Sequence, residues 1–302
     1  MIDAMVLPVD SFSVVALIAT FALISVGLHV TFGLLNIVNL AHGEFILIGA
    51  YATFELQDVL GGPVPAMIAA PFIAAAVGVL AERTILRFLY DRPLDTLLAT
   101  FGMALVIRQA VQLKYSANPR QVADPIGGSF QVGSFNVPWW RFVLVLVTIA
   151  VIAALVALLR TRIGVRWRAT VANPDRAETL GVHTGRARTA MFGVGCGLAG
   201  LAGAVLAPLN TLNPQFGTRF LINSFLVVIL GGQGSLGGLV AAAVVLGGTL
   251  GVLQFHISTV YAQIAVLLVA VLATRVRPLV SGGLEDRRTR RRPRARVGAG
   301  QS

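Results

Sequence analysis

The 302-residue chain has one cysteine, Cys196. That excludes an intramolecular disulfide and a cysteine-built metal cluster, and the Gly/Ala-rich apolar run around Cys196 marks it as packing filler. Charge is also scarce. Only 12% of residues are charged, against about a quarter in soluble domains, so length alone is a poor guide to domain count. Lysine is nearly absent, leaving Lys114 and a large set of arginines to give a formal net charge of +11. The four histidines form no recognisable metal-ligand spacing, and His29 and His256 sit alone among apolar residues. No Ser/His/Asp arrangement with nucleophile spacing is present. No basic residue precedes Arg83, so the N-terminus lacks the basic region of a signal peptide.

What the chain has instead is apolar length. Hydrophobic residues make up 56% of it, in repeated stretches of about 20 residues, enough for a helix to cross a bilayer core. The expected fold is all-α, a polytopic membrane helix bundle of about eight transmembrane helices. The stretches run approximately over 13–32, 34–56, 64–90, 96–113, 140–159, 190–209, a short piece at 220–230, then 239–255 and 259–274, with Trp139 and Trp140 as interfacial anchors. Residues 1–278 are expected to form the transmembrane domain, and 279–302 an Arg-rich cytoplasmic tail expected to be disordered. Arg83, Arg87 and Arg92, the segment from Arg160 to Arg188 and the tail fall on one side, whereas the Lys114–Pro138 loop carries little positive charge. The positive-inside rule puts the basic side in the cytoplasm and the N-terminus outside. It also accounts for the basicity without a nucleic-acid partner. The 220–230 piece is read as a short or tilted crossing, giving eight crossings, because a re-entrant piece would break the parity that a cytoplasmic tail requires.

Three constellations stand out. The first is Asn36-Ile37-Val38-Asn39-Leu40-Ala41-His42-Gly43-Glu44. Polar groups at membrane depth are costly and usually line a pathway or tie helices together, and both readings are open here. At helical spacing Asn36, Asn39, His42 and Gly43 share a face, and Glu44 points largely away from it. Arg108, inside another apolar stretch, is the candidate partner for the Glu44 carboxylate. Gly33, Gly43 and Gly49 permit a break or close helix approach.

The second lies between the fifth and sixth spans. Asn173 is an N-cap, Pro174 occupies the first helical position, Asp175 the first turn, and Gly181 the stop. The short helix presents Ala177 and Leu180 on one side, a shape that docks into a groove of a soluble partner or belongs to an ordinary interfacial loop. The third is the loop Gly231-Gly232-Gln233-Gly234-Ser235-Leu236-Gly237-Gly238. It lacks the Lys-Ser/Thr of a P-loop, so it reads either as a bend lining a cavity or as a plain turn. The pore-loop candidates are Gly231, Gly232, Gly234 and Ser235.

These stretches carry a resemblance. Residues 33–45 resemble the INxAHGE signature of the branched-chain amino-acid ABC transporter permeases, in the shorter of that family's two paired subunits. Residues 160–182 resemble its cytoplasmic coupling loop, and Gly197–Gly203 and Val227–Gly238 its later Gly-rich segments. The four matches fall in family order, with Gln233-Gly234-Ser235 a small departure. The resemblance implies a transport subunit without enzymatic activity or a cofactor of its own. It implies a second homologous permease, two cytoplasmic ATP-binding subunits that bind and hydrolyse ATP, and an extracytoplasmic substrate-binding protein, all at the plasma membrane and in contact with membrane lipid. In that frame Asn36, Asn39, His42 and Glu44 belong to the solute pathway, and Asn173, Asp175, Ala177, Leu180 and Gly181 to ATPase coupling. Urea and short-amide permeases share the motifs. A secondary transporter, or an enzyme built on Glu44, His42 and Arg108, are the rival classes.

Overall fold

The computed structural model describes residues 3–290 other than 36, 91, 133, 134 and 233, with the backbone alone described for 3–11, 131–136 and 275–290. It is an all-α bundle. Helix α1 (Asp3–Leu28) runs on through a π-helical stretch, His29–Leu34, and is followed by α2 (His42–Val59), α3 (Pro63–Thr84) and α4 (Pro93–Tyr115). A hairpin of β1 (Ser129–Val132) and β2 (Phe135–Pro138) precedes α5 (Trp140–Arg160). Two short helices, α6 (Arg162–Ala172) and α7 (Pro174–Thr179), lead to α8 (Thr184–Leu206), α9 (Phe216–Gly231), α10 (Leu236–His256) and α11 (Thr259–Arg290). Helix is the required form for a chain in lipid, where every backbone N–H and C=O must be satisfied within its own segment. Proline opens α3 and α4, at the first helical position where its missing N–H costs nothing.

Six of the described helices are long and apolar enough to span a membrane, and Phe216–Gly231 and Thr259–Thr274 are shorter apolar ones. One end gathers the α2–α3 turn, residues 121–124 and residues 208–211. Ser13, Arg141 and Thr259 meet Asn210 there too. The other end gathers Arg83, Arg87, Tyr90 and Thr184–Ala190. Among the described residues the six long helices and the two shorter apolar ones agree with the expected count of about eight. Helix α11 continues to Arg290, past position 279 where the tail was expected to begin. Residues 291–302 lie outside the described residues.

Helices α1, α2 and α8 form the centre, with α3 and α10 packed against them. Glycines set the closeness. A Cβ on Gly203 of α8 would lie 1.9 Å from the Ile46 carbonyl oxygen of α2, and one on Gly49 the same distance from the Gly200 carbonyl oxygen. In a bilayer, where lipid tails are as apolar as leucine, such close packing is a main source of helix association. Trp140 is a correction to the sequence reading. It is buried, and its indole N–H donates to the Val205 carbonyl at 2.8 Å, so it joins α5 to α8, while Trp139 stays half exposed.

Candidate functional site

The site begins where α1 loses its regular winding. After the π stretch, Ile37 N–H donates to Thr31 C=O at 3.1 Å, and residues 37–39 adopt no regular structure. Asn39 Oδ1 accepts from the Ala41 N–H at 3.1 Å, a local side-chain bond of the kind that competes with helix. Helix α2 starts only at His42. The expected helical face of Asn36, Asn39, His42 and Gly43 is therefore corrected: Asn39 sits in an unwound segment and His42 at a helix start. Asn36 lies outside the described residues.

Unwound backbone at membrane depth is tolerated only where protein satisfies it, and α4 does so. The Thr100 hydroxyl accepts from Leu40 N–H at 3.2 Å and lies 3.2 Å from Val38 C=O. Two turns along α4, Arg108 donates from Nε to Glu44 Oε1 at 3.1 Å and from Nη2 to the same oxygen. Glu44 is 1% exposed and the Arg108 side chain 28%.

A second clasp forms on α1. The Ile24 carbonyl lies 2.8 Å from His42 Nε2 and 3.1 Å from Ser224 Oγ of α9. A carbonyl only accepts, so His42 carries its proton on Nε2. Gly43 and Gly217 bring α2 and α9 together next to this point, and the helix starts meet backbone to backbone. Asn39 and His42 are fully buried, and neither Asn39 Nδ2 nor His42 Nδ1 has a hydrogen-bond partner. The Glu44 Oε2 atom and both ring nitrogens of His29 are likewise unpartnered.

The expected coupling residues form a well-terminated element at the basic end. Asn173 Oδ1 caps α7 by accepting from Arg176 N–H at 3.0 Å. At the other end Gly181 takes φ +78°, with Val182 N–H bonded to Ala177 C=O and Gly181 N–H to Glu178 C=O. That is a Schellman stop, which glycine enters without steric cost. Ala177 and Leu180 do not share a face, however. Ala177 is buried, while Leu180 is 81% exposed. Asp175 is exposed in the first turn. Preceding α7 is an element the sequence reading took for loop, α6, capped by Thr161 and anchored by buried Trp167.

The Gly-rich loop is a tight turn between α9 and α10 at the same end. Gly232 and Gly234 adopt φ +85° and +79°, and Ser235 Oγ accepts from Gly238 N–H at 3.0 Å to cap α10. Gly231 and Gly238 abut through their backbones. Gln233 lies outside the described residues.

Sequence reasoning missed three residues. Thr100 and Ser224 are single hydroxyls in apolar runs and gave no signal. Glu82 did give one, as a carboxylate in an otherwise apolar span. It is buried, with Oε1 accepting from Tyr90 OH at 2.7 Å and Oε2 from Thr189 Oγ1 at 2.6 Å, so it pins α3 to the start of α8. Burial, and after it the hydrogen bond to Glu82, push the Tyr90 phenol well above its ordinary range, so it remains a donor throughout the neutral range. Among the described residues no group of three or more His, Cys, Asp or Glu can hold a metal ion.

Membrane-length helices, buried polar clasps at a broken segment and an exposed capped helix at an Arg-rich end define a polytopic membrane protein of the permease type. Comparison with known proteins makes this specific. The chain belongs to the family described as branched-chain amino acid transport system / permease component, whose model matches residues 11–274. It is 28% identical over 286 residues to the high-affinity branched-chain amino acid transport system permease protein LivH of Salmonella typhimurium, covering 88% of this chain and 92% of that protein. It is 29% identical over 246 residues to the corresponding permease BraD of Pseudomonas aeruginosa, covering 76% and 80%. It is 25% identical over 255 residues to LivM of Salmonella typhimurium, covering 75% of this chain but 59% of LivM. No solved structure matches the chain.

Proposed function

We propose that the chain is one permease subunit of an ATP-driven importer that moves branched-chain amino acids across the plasma membrane by alternating access. The second permease is a homologue of the LivM kind. Two cytoplasmic ATP-binding subunits bind and hydrolyse ATP, since this chain has no P-loop, and a substrate-binding protein delivers solute outside. The N-terminus lies outside and the Arg-rich end inside. The observation that carries the reading is α7. It is a helix closed by a cap at both ends, and the apolar side chain at its C-terminal cap, Leu180, is turned into solvent at the basic end of the bundle. An exposed leucine on a rigid two-turn element is suited to insertion into a groove of a soluble partner. Pro174 and Gly181 fix its ends, so a push on Leu180 passes through α6 and α8 to the spans instead of being absorbed locally.

The solute pathway in this reading runs beside the broken segment at Asn36, Asn39, His42 and Glu44. The clasps on Thr100, Arg108 and Ile24 hold that wall in shape, and the Gly231–Ser235 turn closes its inner end.

The test is uptake of labelled leucine by vesicles containing this chain, its permease partner, the two ATPases and the binding protein. ATP-dependent uptake is expected, and Leu180→Asp is expected to reduce it by about tenfold or more by placing a charge in an apolar groove while the permease pair still assembles. Uptake of urea or a short amide in place of leucine would change the solute. Unchanged coupling in Leu180→Asp would remove α7 from the transmission path.

A further inference from the structure

At the basic end of the bundle a cleft of about 580 Å³ opens between the end of α3, the turn before α4 and the start of α8. Four arginines line it, Arg83, Arg87, Arg186 and Arg188. None of them forms an ion pair with a carboxylate among the described residues, whose ion pairs are Arg92–Asp95, Arg108–Glu44 and Lys114–Glu55. The cleft's one acid, Glu82, is buried and takes its hydrogen bonds from Tyr90 and Thr189, which are neutral. The lining therefore carries an excess of positive charge, four guanidinium groups against one carboxylate. Tyr90 and Phe88 hold the guanidinium groups of Arg188 and Arg87 over their rings, at 4.8 and 4.4 Å from the centroids, so both cations are positioned rather than loose. Next to the cleft the surface turns apolar: Leu80, Ile85 and Phe88 are exposed, and Phe72 continues the same helix toward the bundle centre.

A positioned cluster of cations at a helix end, continuous with an exposed apolar helix face, matches one chemistry: a phosphate monoanion or dianion carrying acyl chains. We propose that this cleft binds the headgroup of an anionic phospholipid, with the phosphate among Arg83, Arg87, Arg186 and Arg188 and the chains along Leu80 of α3 and Ile85 just after it. Basic pockets between transmembrane helices are suited to such headgroups, each cation near the surface adding to the attraction. A bound lipid would cross-link α3 to α8 at the point where the Glu82–Tyr90–Thr189 clasp already joins them. The occupant would steady the lever through which α7 acts on α8. Binding itself does not rest on the transport reading.

The test is lipid retention by the assembled complex, purified in detergent and supplied with phosphatidylglycerol, cardiolipin or phosphatidylcholine, then analysed by native mass spectrometry. Retention of the anionic lipids over phosphatidylcholine is expected. Arg83→Gln combined with Arg186→Gln is expected to cut it by roughly 10- to 30-fold, two surface cations' worth. These two side chains are exposed and stack on no ring, so the fold should tolerate the change. Arg160→Gln combined with Arg166→Gln, outside the cleft, is the control and should leave retention unchanged. Equal retention of phosphatidylcholine, an equal loss in the control, or displacement of lipid by inorganic phosphate at low millimolar concentration would overturn the proposal. Loss of the ATP-binding subunits from the double variant with lipid retention intact would make the cleft a protein contact and overturn it too.

Discussion

Arg108→Ala is expected to destabilise the protein by about 3–5 kcal/mol, the usual cost of stripping one partner from a buried ion pair. The Glu44 carboxylate is 1% exposed and its Oε1 takes both Arg108 bonds, while Oε2 has no partner. Removing the guanidinium leaves a buried anion with nothing to compensate it. The reverse change should be milder. In Glu44→Gln the orphan is Arg108, whose side chain is 28% exposed and long enough to reach toward water. The double variant Glu44→Gln/Arg108→Met removes both charges, and most of the loss should return, since replacing a buried pair by neutral groups of similar size is often close to neutral. Thermal unfolding of the assembled complex for the three variants checks the order. Equal, small losses in the two single variants would mean that the pair contributes little. The position gives the pair a second consequence. Glu44 lies in the first turn of α2, just after the unwound segment, and Arg108 lies on α4 together with Thr100, which holds that segment's backbone. Losing the ion pair should therefore also loosen the break, and transport should fall further than stability alone accounts for.

The spans were legible because apolar length has one interpretation in lipid: about 20 residues without charge must be helix. The break after α1 was not. Asn36, Asn39 and His42 at three-residue spacing read as a helical face, and the spacing holds no record that Asn39 turns back on its own backbone or that Thr100 waits 61 residues later to satisfy it. Such a choice is decided by tertiary partners, not by period. The end caps of α7 could be read because they are local chemistry: Asn173, Pro174 and Gly181 act within one turn of themselves. Which side of α7 faces inward depends on α6, whose helix the Arg-rich stretch concealed, and so Ala177 was expected outside. The short piece at 220–230 was too short for the same kind of reason. Four residues before it, from Phe216 to Arg219, include a polar threonine and an arginine that an apolar count stops at, although the helix does not.

Gly217→Ala should separate α9 from α2, and Gly102→Ala should do nothing of the kind. A Cβ at Gly217 would stand 2.0 Å from the Gly43 carbonyl oxygen, and one at Gly43 would stand 2.6 Å from the Gly217 carbonyl oxygen. Both obstacles are backbone, so no rotamer change relieves them. Alanine gains about 1 kcal/mol of helix propensity over glycine, but overpacking of this kind costs about 1–3 kcal/mol or more. The clash wins, and the net change at Gly217 is destabilising. At Gly102 of α4 a Cβ meets nothing within 4 Å, so only the propensity gain remains and that variant should be neutral or slightly more stable. The same substitution is thus expected to carry opposite signs at two positions, which a general effect of alanine in membrane helices would not produce. Geometry gives the functional side. Moving α9 away at Gly217 pulls Ser224 from the Ile24 carbonyl that it shares with His42, so the clasp at the start of α2 opens with it. Leucine uptake should therefore be lost in Gly217→Ala and Gly43→Ala alike and kept in Gly102→Ala. Normal uptake in Gly217→Ala at unchanged stability would mean that the α2–α9 approach is not part of the transport machinery.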